Sequence, residues 1–311
     1  MSPPSPPEST GQFPCREVPG WSTGQAATLA CVLESLFAKP GNVHRGADFP
    51  DTTLQDFLVS GILIGPAMDV ACQQRLGRTV LAAAEATRQV VRQNTNLGII
   101  LLFAPLATVD RLTPAAVLEC VGQTDRQDCR DIYRAIQLAS PGGLGEARSY
   151  DVQGDSPPER IQPAMAAAAG RDMIARQYIN GCHDVLEFVK PAIGEDLGAG
   201  HDLQTAVIRT HVRTMHRYPD SLIARKTDQA TALEAAARAG RVLAAGSPGD
   251  ETYWAALADL DFWLRSDGNR RNPGTTADLV AAGLFAGLRD GTIQSRHLPS
   301  AGMAHTVQDL P

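Results

Sequence analysis

The stretch Asn94-Thr95-Asn96-Leu97-Gly98-Ile99-Ile100-Leu101-Leu102-Phe103-Ala104-Pro105-Leu106-Ala107 decides the fold. Its apolar run, Gly98 to Ala107, is short enough and branched enough for a buried strand. A strand needs a neighbour for its backbone groups, and nothing around this one supplies it. No segment of the chain alternates polar and apolar residues for long, and no hairpin dipeptide separates β-branched runs. Upstream, Leu76, Val80, Ala83, Ala84, Thr87 and Val91 recur at spacings of three and four, the mark of a helix face. That stripe makes 66–93 one helix and carries its buried face on to Asn94 or Thr95. The run is therefore a buried helix. The polar triplet before it points inward and must be hydrogen-bonded or wet.

The rest of the chain reads the same way. Ser22 or Thr23 caps a helix reaching about Ala38, and Thr53 with Asp56 offers a capping box for the next. Further helices are expected over 114–121, 125–139, 160–192, 201–217, 228–245, 251–264 and 275–289. Residues 140–160 are rich in glycine, proline and serine and form the longest loop. The expected organisation is a disordered proline-rich arm (1–21), one all-α catalytic domain (22–293) and a flexible tail (294–311). The domain is a single globular multi-helix unit.

Hydrophobic residues at 43% and charged residues at 20% fit a substantial core. A formal net charge of −6 argues against nucleic acid as partner, which calls for a basic face. It leaves room for a nucleotide accompanied by a divalent cation. The N-terminus, MSPPSPPEST, has neither a basic region nor an apolar run, and no uninterrupted apolar run reaches membrane-spanning length. No membrane contact and a cytoplasmic location are expected. The six cysteines show no metal-ligand spacing and read as reduced thiols.

Four polar clusters stand at helix junctions: Lys39–Asp56, Asn94–Gly98, Asp220–Asp228 and Asn269–Asp278. Backbone N–H groups at such junctions bind phosphate readily. The first cluster combines Lys39, His44 and Arg45 with Asp48, Asp51 and Asp56. Lys39 is one of only three lysines, and in so arginine-rich a chain it hints that a compact ammonium was wanted. Each cluster also has a plain explanation. Thr275 with Asp278 makes an ordinary capping box, Asn94 can cap a helix, and Arg270-Arg271 can be a solvated pair. Phosphate-loop, dinucleotide, nucleophile-elbow and zinc-protease motifs are absent from the sequence.

The segments KPGNVHRGADF, NTNLGIILLFAPL, DSLIARK and NPGTTADLVAAGLF, in this order, resemble the triphosphoribosyl-dephospho-coenzyme A synthase family across about Gly24 to Gly287. The resemblance implies transfer of the triphosphoribosyl unit of ATP to a hydroxyl of 3′-dephospho-coenzyme A, with release of adenine. Asn42-Val43-His44-Arg45, Asp220-Ser221-Leu222, Arg225-Lys226 and Pro273-Gly274-Thr275-Thr276 depart from the citrate-lyase branch. They look more like the branch of archaea and C1-metabolising bacteria, which would allow a C1-carrier precursor as acceptor. The resemblance implies Asp48, Asp278 and His44 as catalytic groups. It places Lys39, Arg225 and Lys226 at the triphosphate, and Asn42, Arg45, Asn94, Thr95, Asn96, Asn272, Gly274 and Thr275 around the nucleotide. Mg²⁺ is the expected counter-ion, with Asp48 and Asp51 as its ligands, and a homodimer is compatible with the reading. N-glycoside hydrolysis and non-catalytic ATP binding are the alternatives. A triphosphate-bearing ligand spans on the order of 15 Å. One active site therefore requires Lys39, Asp48, Asn94, Lys226 and Asp278 to line a single cavity.

Overall fold

Most helix starts follow from local capping. The computed structural model describes residues 20–139, 150, 152 and 157–299. Ser22 closes a capping box with Gln25 at the head of α1 (Thr23–Leu36), and Thr53 does so with Asp56 for α2 (Leu54–Asp69). Then follow α3 (Leu76–Val90), α4 (Leu97–Thr108), α5 (Pro114–Gly122) and α6 (Arg126–Ala139). Beyond the loop come α7 (Ile161–Ala168), α8 (Met173–Asn180), α9 (Lys190–Gly198) and α10 (Leu203–Arg217). The chain ends in α11 (Ser221–Lys226), α12 (Gln229–Ala244), α13 (Glu251–Arg265), a short extended segment β1 (Ser266–Asn269) and α14 (Gly274–Asp290). The fold is all-α.

Two expected helices are broken. The stripe over 66–93 belongs to two helices, because the chain turns through Ala71–Gln73 between α2 and α3. The 160–192 pattern is divided at Asp172, which caps α8, and at Gly181, whose left-handed φ of 70° ends it. It resumes as a π-helical turn, Val185–Val189, that runs into α9.

The run that opened the reading is a helix, and almost all of α4 is buried. It packs on α14, buried nearly all round, with Phe103 stacked on Phe285 at 4.4 Å between ring centroids. A helix apolar on every face must sit at the centre of its domain. The larger core gathers around this pair. A smaller one joins Val212, Ile223, Ala235 and Leu260 of α10 to α13. α10 belongs to both, with Val207 in the first and Val212 in the second.

Together with the turn that follows it, α2 makes a 20-residue helix, Leu54–Gln73, long and apolar enough to cross a membrane by length and composition. Counting only uninterrupted runs missed it, since Asp56 and Ser60 break the run. Its Gly61 lies against Cys31 of α1. Cys31, Cys120, Cys129 and Cys182 are free and buried, as reduced thiols should be, but Cys72 is disulfide-bonded. Cys72 sits half-exposed in the turn after α2 rather than in the core, so a second thiol can reach it. The expected arm and tail lie mostly outside the described residues. Trp21, assigned to the arm, packs on the larger core.

Candidate active site

The helix junctions are tied together by a few buried side chains. Asp220 Oδ1 accepts from the N–H groups of Leu222 (2.8 Å) and Ile223 (3.0 Å), capping α11. Its Oδ2 accepts from the N–H and hydroxyl of Thr276, at 2.7 and 2.8 Å, in the first turn of α14. Burial pushes the Asp220 carboxyl up, opposed by these donors. Ser221 donates to Thr275 Oγ1 (3.1 Å) and accepts from the Met173 N–H (3.2 Å), adding α8 to the knot. Asp172 caps α8 through Oδ1 and meets Arg225 Nη1 through Oδ2 at 3.2 Å. Three helix ends distant in sequence are therefore fixed at one place.

The loop after α1 closes onto the same place. Gly41, at φ 76°, packs so closely that a Cβ there would lie 2.8 Å from Pro273 Cδ, so only glycine fits. Asn42 donates to Asn272 Oδ1 at 2.8 Å, while its own Oδ1 is buried without a partner. The polar triplet completes the wall. Thr95 Oγ1 meets Ser60 Oγ at 2.5 Å, and Asn96 donates to Ser60 O and Thr87 Oγ1. Asn94 Oδ1 accepts from the Leu97 N–H, so its capping explanation holds as well.

These elements enclose a cavity of about 830 Å³, near the upper end for small-molecule sites. Asp278 stands at its floor. Protein surrounds the residue on all sides, and the opening of the cavity alone leaves it partly accessible. Burial first, then the charges of Glu34, Asp220 and Asp172, hold its carboxyl well above the usual range, against the pull of Arg225. The plain capping box is not formed, since the residue before α14 is Pro273 and caps nothing with a side chain. Instead Asp278 lies against the first turn of α4, where a Cβ on Gly98 would come within 2.1 Å of Oδ2.

Glu34 also lines the cavity and is 4% exposed. Its partner is Lys39, with Nζ to Oε1 at 2.9 Å. Lys39 is fully buried and also donates to the carbonyls of Glu34 and Phe37, closing the C-terminal end of α1. Its placement corrects the expectation that Lys39 reaches a triphosphate. His211, fully buried, senses the Lys39 charge; burial and then that charge hold its pKa well below the ordinary value.

Among the residues picked out in the sequence, Asn42, Asp51, Asn94, Thr95 and Asn96 line the cavity. Arg225, Lys226, Asn272, Gly274, Thr275 and Asp278 line it with them. Lys226 Nζ rests on Asn269 O at 3.2 Å, with its pKa lowered by burial. Arg225 Nε is buried without a partner. Asp51 accepts from Asn269 Nδ2 at 3.2 Å. His44, Arg45 and Asp48 are not in the lining. Asp48 Oδ1 accepts from the Leu54 N–H at 2.7 Å and helps cap α2, while His44 Nδ1 accepts from Gly46 and Arg45 is exposed. Burial, then Arg265, lower the His44 pKa. Of the five residues expected together, three meet in the cavity. Glu34 was missed, although it is the one charged residue of α1, and a lone carboxylate on an apolar helix is a legible signal.

Residues 20–297 match the family described as ATP:dephospho-CoA triphosphoribosyl transferase. A crystal structure from Archaeoglobus fulgidus, assigned as a triphosphoribosyl-dephospho-coA synthase, superposes with a TM-score of 0.57 at 22% identity, covering 75% of this chain and 99% of that one. At that identity the likeness speaks for the fold. No curated protein gives a significant match.

Proposed function

The chain belongs to the ATP:dephospho-CoA triphosphoribosyl transferase family, and we propose that Asp278 and Glu34 are the acid and the base of its reaction. As a transferase of this kind it breaks the bond between ribose C1′ and adenine in ATP and makes a new bond from C1′ to an acceptor hydroxyl oxygen. Adenine leaves with the bonding electron pair and needs a proton; the hydroxyl loses one. The supporting observation is the pair itself. Two carboxyl groups face one cavity, one with its pKa raised by burial and the other ion-paired to a buried lysine. Environments that separate two carboxyls in this way assign acid and base. Asp278 gives its proton to the departing adenine. Glu34 stabilises the positive charge developing on the ribose and accepts the hydroxyl proton.

The triphosphate goes to Arg225 and Lys226, the cations at the end of α11, with the partnerless Arg225 Nε free to donate. The amides of Asn42, Asn94 and Asn272 suit ribose and phosphate oxygens. Among the described residues no three His, Cys, Asp or Glu side chains gather as a metal cage. A magnesium ion would then be bound mainly by the nucleotide's phosphates, with Asp51 as the protein carboxylate that would hold it. When bound, such an ion neutralises phosphate charge. Incubation with ATP and 3′-dephospho-CoA, with and without Mg²⁺, should give free adenine and a ribosylated acceptor in equal amounts, dependent on the metal. Adenine released at the same rate without acceptor would favour a hydrolase instead. Product formed only with a C1-carrier precursor would change the acceptor and leave the acid and base in place.

A further inference from the structure

The cavity lining includes an apolar stretch that the assignments above do not use. It is formed by Ile136 of α6 and by Ile161, Ala164, Met165, Ala167 and Ala168 of α7. None of these six carries a polar side-chain group able to pair with a base or a phosphate. The alanines keep the passage open, since their methyl groups leave room that longer side chains would fill. Ile161 and Met165 root the wall in the larger core, so it is a preformed surface.

The assignments above do not place ATP on this stretch. Its adenine must leave beside Asp278, and its triphosphate needs the cations of α11. Both requirements hold it against the polar residues of the lining. The remaining ligand is the acceptor, whose hydroxyl must come to the same C1′. Accepting the proposed function, we infer that this apolar stretch holds the aliphatic pantetheine arm of the acceptor, and that α7 selects acceptors by that arm. The arm is slender and largely alkyl, with a branched dimethyl carbon, and matches a wall of methyl groups.

The test fills the passage. Ala164→Leu and Ala167→Leu should stay folded, since each side chain enters open space, as a thermal melt will show. Each should raise the KM for 3′-dephospho-CoA by about tenfold, the scale of a few methylene contacts. The KM for ATP should not move. 4′-Phosphopantetheine, which carries the arm without adenosine, should inhibit wild-type enzyme competitively against dephospho-CoA and not against ATP. A rise in the ATP KM would place adenine in the passage and overturn the inference, as would unchanged constants for both substrates. Calorimetric titration of 4′-phosphopantetheine separates this inference from the reading beneath it. If wild-type protein shows no transfer yet binds the arm, and Ala164→Leu does not, the passage stands while the transfer chemistry fails. If wild type turns over but does not bind the arm, the passage assignment alone is wrong.

Discussion

Replacing Gly98 by alanine displaces Asp278 without touching its chemistry. A Cβ at Gly98 would lie 2.1 Å from Asp278 Oδ2, 2.5 Å from its Cγ and 3.0 Å from Oδ1, whereas ordinary contact begins at 3.4 Å. The carboxyl must retreat by roughly 1 Å or more. A reacting group misplaced by about 1 Å costs on the order of 100-fold in rate. Crowding destabilises by about 1–3 kcal/mol, and alanine's helix preference returns at most about 1 kcal/mol. The protein should therefore stay folded, less stable by about 0–3 kcal/mol, the difference of those two ranges. Adenine release at saturating ATP and dephospho-CoA would measure kcat, and urea unfolding would measure the fold. The control is Gly98→Ala in an Asp278→Ala background, where the clash has no second party and the added methyl should change neither quantity further. A Gly98→Ala enzyme turning over at the wild-type rate would refute the placement of Asp278 as acid.

Two further outcomes follow from the same floor. Because burial raises the Asp278 pKa, the native state holds a proton that the unfolded state has released above its ordinary pKa of 3.8. Stability is lost as pH rises from there towards the raised value. Asp278→Asn should abolish turnover, flatten that loss and raise the melting temperature at pH 8 more than at pH 4. Lys39→Met should damage the fold before the chemistry, since it strands Glu34 in a buried site at a cost of about 3–5 kcal/mol. Lys39→Met with Glu34→Gln should recover most of that stability, but not activity, in a thermal melt with a parallel adenine assay.

Periodicity and capping made the helices legible, because both act within a few residues. Ser22, Thr53, Asp220 and Asp228 cap where their residue types say they should. What failed needed information from outside the segment. The helical pattern expected over 66–93 runs on in sequence while the chain turns at Ala71–Gln73, because apolar residues on either side of the turn, Met68 and Leu76, serve the same core. The 160–192 pattern hides two breaks, as the apolar residues on either side of Asp172 and Gly181 serve the same core. The cavity side chains at α4, α11 and α14 were legible as polar residues at helix junctions. Asp48 and His44 looked alike by that rule, and only the backbone groups they accept from set them apart.

Lys39 shows where composition misleads and what it was reporting. Its rarity in an arginine-rich chain is real, but the demand it meets is internal. A guanidinium is broad and planar and asks for several acceptors in its plane. The end of α1 offers two backbone carbonyls and one carboxylate around a point, sealed from bulk solvent. An ammonium suits that arrangement. The consequence reaches the chemistry through Glu34. Its neighbour Asp278 is already influenced by two further carboxylates, Asp220 and Asp172, so a second carboxylate facing the same cavity needs a cation of its own. A cation brought by substrate would come and go with each turnover. Lys39, fully buried, stays, and the division between Asp278, its pKa raised by burial, and an ion-paired Glu34 is built before any ligand arrives.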